Sequence, residues 1–189
     1  MTYYDERKNI EEYIEMAEGY DGSELIAILK EHLPLKSTVL ELGMGPGTDL
    51  DLLAQSYKVT GSDFSSVFLD VYRETHPAAD LLELDAVTLE TERTFDCIYS
   101  NKVLQHLSKK DLQRSFSRQK ELLNKNGLLM HSFWFGENEE EMGGLRHVYY
   151  TEAELLKTIG PSFDTVALER YKEFEDGDSF YILLRLQDK

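Results

Sequence analysis

The first apolar positions of the chain follow a helical period. Between residues 5 and 18 they recur every three to four residues without Gly or Pro, which predicts an amphipathic helix with a polar outer face. A second apolar stripe follows Ser23, which we expect to cap its helix, and stops at Pro34. Two helices, within residues 1–36, are therefore expected before the first strand.

From Thr38 onwards, short runs of β-branched residues and leucine alternate with helical segments. These runs predict five strands, at residues 38–42, 58–63, 81–85, 95–100 and 128–135. A capping box from Ser108 to Asp111 opens the helix before the fifth strand, and Asn126-Gly127 is expected to end it. Strands that alternate with helices are typical of a parallel sheet with crossover helices.

The pattern changes after the fifth predicted strand. Residues 136–150 form an acidic, glycine-containing segment that is longer than most connections in a compact domain, so we expect an ordered lid loop. A helix capped at Thr151 follows. Two alternating runs, 163–170 and 179–186, then flank an Asp-Gly pair, which predicts an antiparallel hairpin. The predicted fold is α/β, with a Rossmann-like, seven-stranded, mostly parallel sheet, an antiparallel last strand, helices on both faces and two extra N-terminal helices.

A glycine-rich loop follows the first predicted strand. Gly43, Gly45 and Gly47 alternate there with Met44 and Pro46. Glycine is needed where the backbone adopts a positive φ or approaches a ligand closely. The loop is therefore either a tight turn without a ligand or a cradle for a small molecule.

Acidic residues at two later strand ends favour the cradle. Asp63 ends the second predicted strand, 20 residues after Gly43, a spacing at which a carboxylate reaches the ribose hydroxyls of a bound nucleoside. Asp85 ends the third, where its side chain or the backbone beside it would meet an exocyclic amine. Three successive strand ends thus direct polar groups at one crevice.

The spacing of the glycines restricts the class of ligand that the loop would bind. A dinucleotide fingerprint reads GxGxxG and aims a helix amino terminus at a pyrophosphate, whereas this loop reads GxGxG. No lysine of the Walker type follows the glycines, which argues against a nucleoside triphosphatase. The pattern favours a nucleoside that has no phosphate and carries an amino-acid tail.

Composition restricts partners and compartment. The formal net charge of −16 would repel nucleic acid and anionic membranes. A single cysteine, Cys97, allows neither an intramolecular disulfide nor a cysteine-based zinc site, as expected of a cytoplasmic protein. We expect no signal peptide and no membrane segment, because no long apolar run is present. A chain of 189 residues has a length that suits a single domain, which we expect to span residues 1–189.

Together these motifs resemble the class I S-adenosylmethionine-dependent methyltransferases of the small-molecule type, similar to methyltransferase types 11 and 12. The resemblance covers nearly the whole chain. It implies S-adenosylmethionine as methyl donor, S-adenosylhomocysteine as product and no metal. It also implies that the N-terminal helices cover the donor, with Tyr13 and Tyr20 either closing over it or packing. The donor-binding residues that it implies are Tyr20, Glu41, Gly43, Met44, Gly45, Gly47, Asp63, Phe64, Asp85, Ala86 and Asn101.

The same resemblance places the segment 100–107 beside the transferred methyl group. His106 is the candidate general base, or else a hydrogen-bonded histidine at a helix start. His131, inside the fifth strand, is a pocket wall or a structural residue. Trp134 ends that strand where the acceptor would enter, or else it belongs to the core. Arg146 and Tyr149 follow the lid loop and either bind the acceptor or belong to a solvated loop.

Our leading interpretation is an enzyme that transfers a methyl group to a small molecule, with N-, O- and C-methylation all open. The alternative is a non-catalytic module that binds the donor as a sensor or serves a partner protein. A nicotinamide-dependent oxidoreductase is a distant third, because the glycine spacing differs and no residues are left for a substrate domain. The acidic residues at 137–141 are interpreted as a solvated face, not a metal site.

Overall fold

A computed structural model describes residue 10, residues 19–142 and residues 144–187 of the chain. The helices in these ranges are α1 (Ser23–His32), α2 (Thr48–Ala54), α3 (Ser66–Thr75), α4 (Lys109–Leu122) and α5 (Glu152–Ile159), with a 3₁₀ helix at Leu104–His106. The strands are β1 (Thr38–Leu42), β2 (Lys58–Asp63), β3 (Leu81–Glu83), β4 (Phe95–Asn101), β5 (Leu123–Trp134), β6 (Glu139–Met142), β7 (Leu145–Val148), β8 (Phe163–Tyr171) and β9 (Ser179–Leu186). Apart from Ile10, which is buried, the helix predicted over residues 5–18 lies outside the described residues, and so does Tyr13.

Seven strands form one sheet in the order β3-β2-β1-β4-β5-β9-β8. Strands β1 to β5 are parallel, and β9 runs antiparallel to both β5 and β8. The predicted α/β fold with its antiparallel final pair is therefore confirmed. The carboxyl ends of the parallel strands share one edge, where ligands bind in such folds. The β8–β9 turn lies at that edge too, because Ser179 pairs with Trp134 at the end of β5.

Both faces of the sheet are apolar, and helices cover both. Leu40 of β1 and Ile98 of β4 pack on one face with residues of α4 and α5. Their sequence neighbours Val39 and Cys97 pack on the other face with residues of α1 and α2. Strands that are buried on both faces have continuous apolar sequences, which is why β1 and β4 are recognisable from sequence. None of the helices in the described part of the chain has the length and apolar character to cross a bilayer.

The helix that begins after Ser108 ends earlier than predicted. Ser108 Oγ accepts a hydrogen bond from the Asp111 amide at 3.1 Å and donates one to the Asp111 carboxylate at 2.7 Å, which confirms the cap. The helix stops at Leu122 because the backbone of Leu123 is already extended. Asn126 lies within β5 with a φ of 60°, a conformation that asparagine tolerates better than most residues. The Asn-Gly pair marks an irregularity in β5, not the end of the helix.

Two further boundaries differ slightly from the prediction. Gly22 is the residue that precedes α1, and the Ser23 amide donates to the Asp21 carboxylate at 2.9 Å, so Ser23 is not the cap. Strand β3 ends at Glu83. Asp85 therefore lies in the loop beyond the strand instead of at its end.

The segment predicted as a lid loop contains a two-stranded hairpin, β6–β7. Glu140 pairs with His147 and Glu141 with Arg146 across the two strands. Acidic side chains that looked simply solvated have partners, since Tyr149 donates to the Glu140 carboxylate at 2.6 Å and Arg146 lies 3.3 Å from the Glu139 carboxylate. Cross-strand pairs of opposite charge stabilise such hairpins modestly. A lid role for residues 136–150 remains a prediction.

Candidate donor and acceptor site

The glycine loop turns the chain from β1 into α2. Gly43, Gly45 and Gly47 have φ values of 64°, 49° and 89°, a region that costs residues with a Cβ about 1–2 kcal/mol. A Cβ on Gly43 would lie 2.6 Å from a methyl of Val103, and one on Gly47 would lie 2.3 Å from the Tyr72 ring. At these two positions glycine is thus explained by backbone conformation and by packing against the protein itself.

Asp63, at the end of β2, is tied to this loop. Its Oδ2 accepts a hydrogen bond from the Gly45 amide at 3.0 Å, and its Oδ1 accepts one from the Ser65 amide at 2.8 Å. The Phe64 amide also acts on this carboxylate. A carboxylate has about four acceptor positions, so these amides leave room for a ligand. Burial raises the pKa of Asp63, and the bonds from backbone amides oppose that shift. The carboxylate is held in one orientation beside the glycine loop.

Glu41 in β1 carries a buried oxygen that lacks a partner. Glu41 is 3% exposed, and its Oε2 has no hydrogen-bond partner within the described parts of the chain. Burial raises the pKa of Glu41 well above its usual range, and the carboxylates of Asp49, Asp63 and Asp51 raise it further. Leaving a buried charge unpaired is costly. This oxygen is therefore either protonated or available to a cation or hydrogen-bond donor.

Asp49, in the first turn of α2, organises the wall next to Glu41. Its Oδ1 accepts from the Gly22 amide at 2.6 Å, and its Oδ2 accepts from the Tyr99 hydroxyl at 2.7 Å and the Asn101 amide at 3.2 Å. Asn101 is fixed from the other side as well, because its Oδ1 accepts from Ser132 Oγ at 2.6 Å. One buried carboxylate thus joins the start of α1, the glycine loop and the end of β4.

A cavity of about 160 Å³ opens above the end of β1. Complete small-molecule sites typically have about 300–1,000 Å³, so this cavity suits one part of a nucleoside with an amino-acid tail. Six predicted donor residues line it, namely Tyr20, Glu41, Gly43, Met44, Gly45 and Asn101. The other lining residues are Asp21, Pro46, Thr48, Asp49, Lys102 and Glu173.

The other five predicted donor residues do not line this cavity, namely Gly47, Asp63, Phe64, Asp85 and Ala86. Gly47 is packed beneath the loop, and Phe64 is 60% exposed. The Asp85 carboxylate accepts from the Val87 amide at 2.6 Å, and the Ala86 carbonyl accepts from Ser115 Oγ at 2.6 Å. These bonds fix the loop after β3 at the edge where the sequence predicted contacts with adenine.

Lys102 directly follows β4 and is 15% exposed at its side chain. Its ammonium donates to the Phe133 carbonyl at 3.2 Å and to Ser179 Oγ at 2.5 Å, and it lies 3.8 Å from the Glu173 carboxylate. It also lies 3.6 Å from the centre of the Trp134 ring. Burial lowers the pKa of Lys102 to about 8, although Glu173 and Asp178 oppose the shift. The protons of this ammonium are thus directed at groups of the protein.

The β8–β9 turn reaches the cavity in a fixed conformation. The Asp178 carboxylate accepts hydrogen bonds of 2.9 Å from the amides of Glu173, Phe174 and Glu175. Glu173 then lines the cavity, and Phe174 stacks on Trp134 with ring centres 5.6 Å apart. Phe174 also meets the edge of Tyr20 at 5.4 Å. Backbone bonds to one carboxylate therefore hold both side chains at the mouth.

His106 lies under the β6–β7 hairpin. Its Nδ1 is 2.7 Å from the Arg146 carbonyl oxygen, and because a carbonyl only accepts, Nδ1 carries the proton and Nε2 holds the lone pair. Burial lowers the pKa of His106, and the nearby His147 lowers it further, so the ring is neutral near pH 7. His106 is absent from the wall of the cavity as the described residues define it. Its role as general base stays a prediction.

His131 is fully buried in β5, away from the cavity. Its Nδ1 is 2.8 Å from Ser100 Oγ, and its Nε2 is 2.8 Å from Gln119 Oε1. Burial lowers the pKa of His131 to about 3, so the ring is neutral. Both ring nitrogens are hydrogen-bonded to buried side chains of the core, which favours a structural role for His131 over a contact with the acceptor.

The other three candidate acceptor residues have different surroundings. Trp134 lies at the mouth, between Lys102 and Phe174. Arg146 and Tyr149 pair with Glu139 and Glu140 inside the hairpin segment, and neither lines the cavity. Trp134 does not line the cavity either, so acceptor contacts for all three residues stay predictions.

Residues 39–127 match the family model of a methyltransferase domain. This segment, somewhat less than half of the chain, is similar to a methyltransferase domain. No curated protein sequence matches the chain significantly. Many solved structures do, including a 1,6-didemethyltoxoflavin-N1-methyltransferase from Burkholderia thailandensis with bound 1,6-didemethyltoxoflavin and S-adenosylhomocysteine, at 19% identity and a TM-score of 0.81, covering 96% of this chain and 85% of that one.

Two other similar structures cover both chains almost completely. The N-methyltransferase NodS from Bradyrhizobium japonicum, in complex with S-adenosylhomocysteine, is 15% identical with a TM-score of 0.76 and 100% of both chains covered. An S-adenosylmethionine-dependent methyltransferase from Clostridium acetobutylicum is 14% identical with a TM-score of 0.76, covering 96% of this chain and 98% of that one. At such identities the likeness establishes the shared fold.

Sequence reasoning missed four residues at this site. Asp49 comes directly after the glycine loop and its Thr48, and Lys102 lies within the segment 100–107. A charged residue at each of these places could have been recognised from the sequence. Glu173 and Phe174 lie more than 120 residues from the glycine loop. Only the antiparallel return of β9 beside β5 brings them to the same edge.

Proposed function

We propose that the chain is an S-adenosylmethionine-dependent methyltransferase that acts on a small molecule. The observation that carries the proposal is the unpaired, buried Glu41 oxygen on a cavity formed by a GxGxG loop. An acidic cavity suits a donor with a sulfonium and an ammonium group. Asp63 beside the same loop suits its ribose. The match of residues 39–127 to a methyltransferase domain and the shared fold, described above, support the same conclusion.

Different residues of the chain would bind the ribose, the methionine portion and the adenine of the donor. Asp63 would accept hydrogen bonds from the ribose hydroxyls at acceptor positions that the backbone amides leave free. Glu41 would direct its free oxygen towards the methionine portion, and the Asp49 network holds the Asn101 amide in the wall of the same cavity. The loop at Asp85 and Ala86, held by Ser115 and its own backbone, would face the adenine.

Bound S-adenosylmethionine supplies an electrophilic methyl group on a positively charged sulfur. The protein has to align the acceptor with that methyl group and to exclude water. Tyr20, Phe174 and Trp134 border the mouth and would shield it. His106, with its lone pair on Nε2, would take up a proton that the acceptor releases, provided that the hairpin brings it close.

Nitrogen is the favoured acceptor atom. The similar structures from Burkholderia and Bradyrhizobium are both named N-methyltransferases, although their substrates belong to those proteins. A neutral amine needs no strong base, which fits a cavity from which His106 is absent in the described residues.

Release of S-adenosylhomocysteine tests the activity. We expect the purified protein, incubated with S-adenosylmethionine and a panel of small amines, phenols and carboxylic acids, to release it above the rate without acceptor for at least one amine. Mass spectrometry should find the matching methylated product. A protein that binds S-adenosylmethionine but methylates no member of a broad panel would instead support the non-catalytic module.

A further inference from the structure

The acceptor side of the site can be located from the sheet order. Neighbouring strands lie about 4.8 Å apart, and the order β2-β1-β4-β5-β9 runs from the Asp63 end towards the β8–β9 turn. A donor that spans Asp63, Glu41 and Asn101 occupies the ends of β2, β1 and β4. The acceptor then approaches over β5 and β9, where Trp134, Glu173 and Phe174 lie.

An aromatic surface borders this approach, formed by Tyr20, Trp134 and Phe174. Tyr20 is 51% exposed and Phe174 is 57% exposed. Large exposed apolar side chains next to a cavity indicate a binding surface more often than isolated ones do. Phe174 stacks on Trp134 at an angle of 16° and meets Tyr20 at 62°, so its ring has a defined orientation. A flat, apolar body would pack on this surface.

The charges at the mouth are acidic. Asp21, Glu41, Asp49 and Glu173 line the cavity, and Lys102 is the single cationic side chain among its described lining residues. Lys102 donates to Phe133 and Ser179 and faces the Trp134 ring and Glu173. Since its protons are directed at these groups, Lys102 is poorly placed to bind a carboxylate or phosphate on the acceptor. Asp21 and Glu173 remain as the charged groups nearest the approach.

The charge changes during methyl transfer separate amines from acids. A neutral amine forms a bond from its lone pair to the methyl carbon while the carbon–sulfur bond breaks and its electrons stay on sulfur. The positive charge moves from sulfur to nitrogen, and the new ammonium can release its proton to water. A phenol or carboxylic acid would have to react as an anion, which surrounding carboxylates disfavour.

Resting on the proposed function, we infer that the acceptor is an amine attached to an aromatic body, which stacks on Phe174 while its cationic form pairs with Glu173. The bound cation releases a proton to water before the transfer, because only the neutral amine has the lone pair that attacks the methyl group. Asp178 pre-organises this contact, because it fixes both residues through their backbone amides. Phe174 and Glu173 are thus specificity-determining residues.

The test uses probes that differ only in charge or in ring type. Trp134 is the only tryptophan of the chain, so its fluorescence reports binding next to Phe174. The protein, saturated with S-adenosylhomocysteine, is titrated with 2-phenylethylamine, 3-phenylpropionate and 2-cyclohexylethylamine. We expect 2-phenylethylamine to bind about tenfold more tightly than 3-phenylpropionate, a difference typical of one charge-assisted contact, and more tightly than the cyclohexyl amine.

Variants assign the two preferences. Phe174→Ala should remove the preference for the aromatic amine over the cyclohexyl amine. Glu173→Gln should remove the preference for amine over acid, since Lys102 also loses its partner. Glu175→Gln, on the same turn, is the matched control for Glu173→Gln. Leu35→Ala, which also removes an exposed apolar side chain, is the control for Phe174→Ala. Both controls should leave the two preferences unchanged. Affinity for S-adenosylhomocysteine, measured separately, should stay within a few-fold in the two control variants, and the Phe174→Ala and Glu173→Gln titrations are run at a concentration that saturates each variant.

The outcomes separate this inference from the proposed function. If S-adenosylhomocysteine binds but the acid binds as tightly as the amine, the inference is wrong and the methyltransferase proposal stands. The inference is also overturned if Phe174→Ala and Glu173→Gln leave both preferences unchanged. If S-adenosylhomocysteine itself does not bind, the proposed function fails first.

Discussion

Replacing Asp63 with alanine will weaken the binding of S-adenosylmethionine and S-adenosylhomocysteine by at least about 100-fold, because two hydrogen bonds to a carboxylate are worth about 1.5–3 kcal/mol each. The free acceptor positions of Asp63 are directed by its bonds from the Gly45 and Ser65 amides. Alanine removes both ribose contacts and leaves the Gly45 amide without its partner. Titration calorimetry on the purified variant measures the loss.

Two further variants show whether the effect is local. Asp63→Asn keeps one oxygen that can accept from the Gly45 amide, so it should disturb the glycine loop less than alanine does and still lose most of the affinity. Asp70→Ala, an exposed aspartate on α3 that pairs with Arg73, should bind as the unmutated protein does. A folded Asp63→Ala protein with unchanged donor affinity would contradict the assignment of Asp63 to ribose.

Donor affinity will rise with pH, and Glu41→Gln will reduce this dependence. Burial and three neighbouring carboxylates raise the pKa of Glu41 well above its usual range, so in the free protein it binds a proton that a cationic ligand displaces. Release of one proton makes affinity rise by up to about tenfold per pH unit, up to the pKa of the free protein. Calorimetry between about pH 5 and pH 8, in buffers of different ionisation enthalpy, measures both affinity and protons released.

The glutamine variant also has a defined effect on stability. A carboxyl group with a raised pKa in the folded state lowers the free energy of unfolding as pH rises from its unfolded pKa of about 4.3 to its folded pKa. Glutamine resembles the protonated form, so Glu41→Gln should be at least as stable as the unmutated protein above that range while binding the donor roughly 10–100-fold more weakly. Weak binding together with lower stability would instead indicate a misfolded loop.

The strands and the glycine loop were predictable because their signals are local. Buried parallel strands such as β1 are continuous apolar runs, and the positive φ values of Gly43 and Gly47 select glycine wherever the turn occurs. Asp63 was predictable from its distance along the chain to Gly43. The antiparallel end of the sheet followed from an Asp-Gly pair between alternating runs.

The acceptor side was not predictable, because its contacts are long-range. Phe174 reaches Trp134 and Tyr20 only through the pairing of β9 with β5. His131 looked like a possible site residue in sequence, and its place in the core depends on Ser100 and Gln119, which come from two other elements. The end of α4 was missed because Asn126 adopts its positive φ inside a strand instead of ending a helix.

Titration of the unmutated protein with S-adenosylhomocysteine tests the central claim most directly. The account predicts that one molecule binds per chain and that binding releases protons. Fewer protons should be released by the Glu41→Gln variant. Absence of any binding heat across several temperatures and buffers, from a protein shown to be folded by its circular dichroism, would contradict the account.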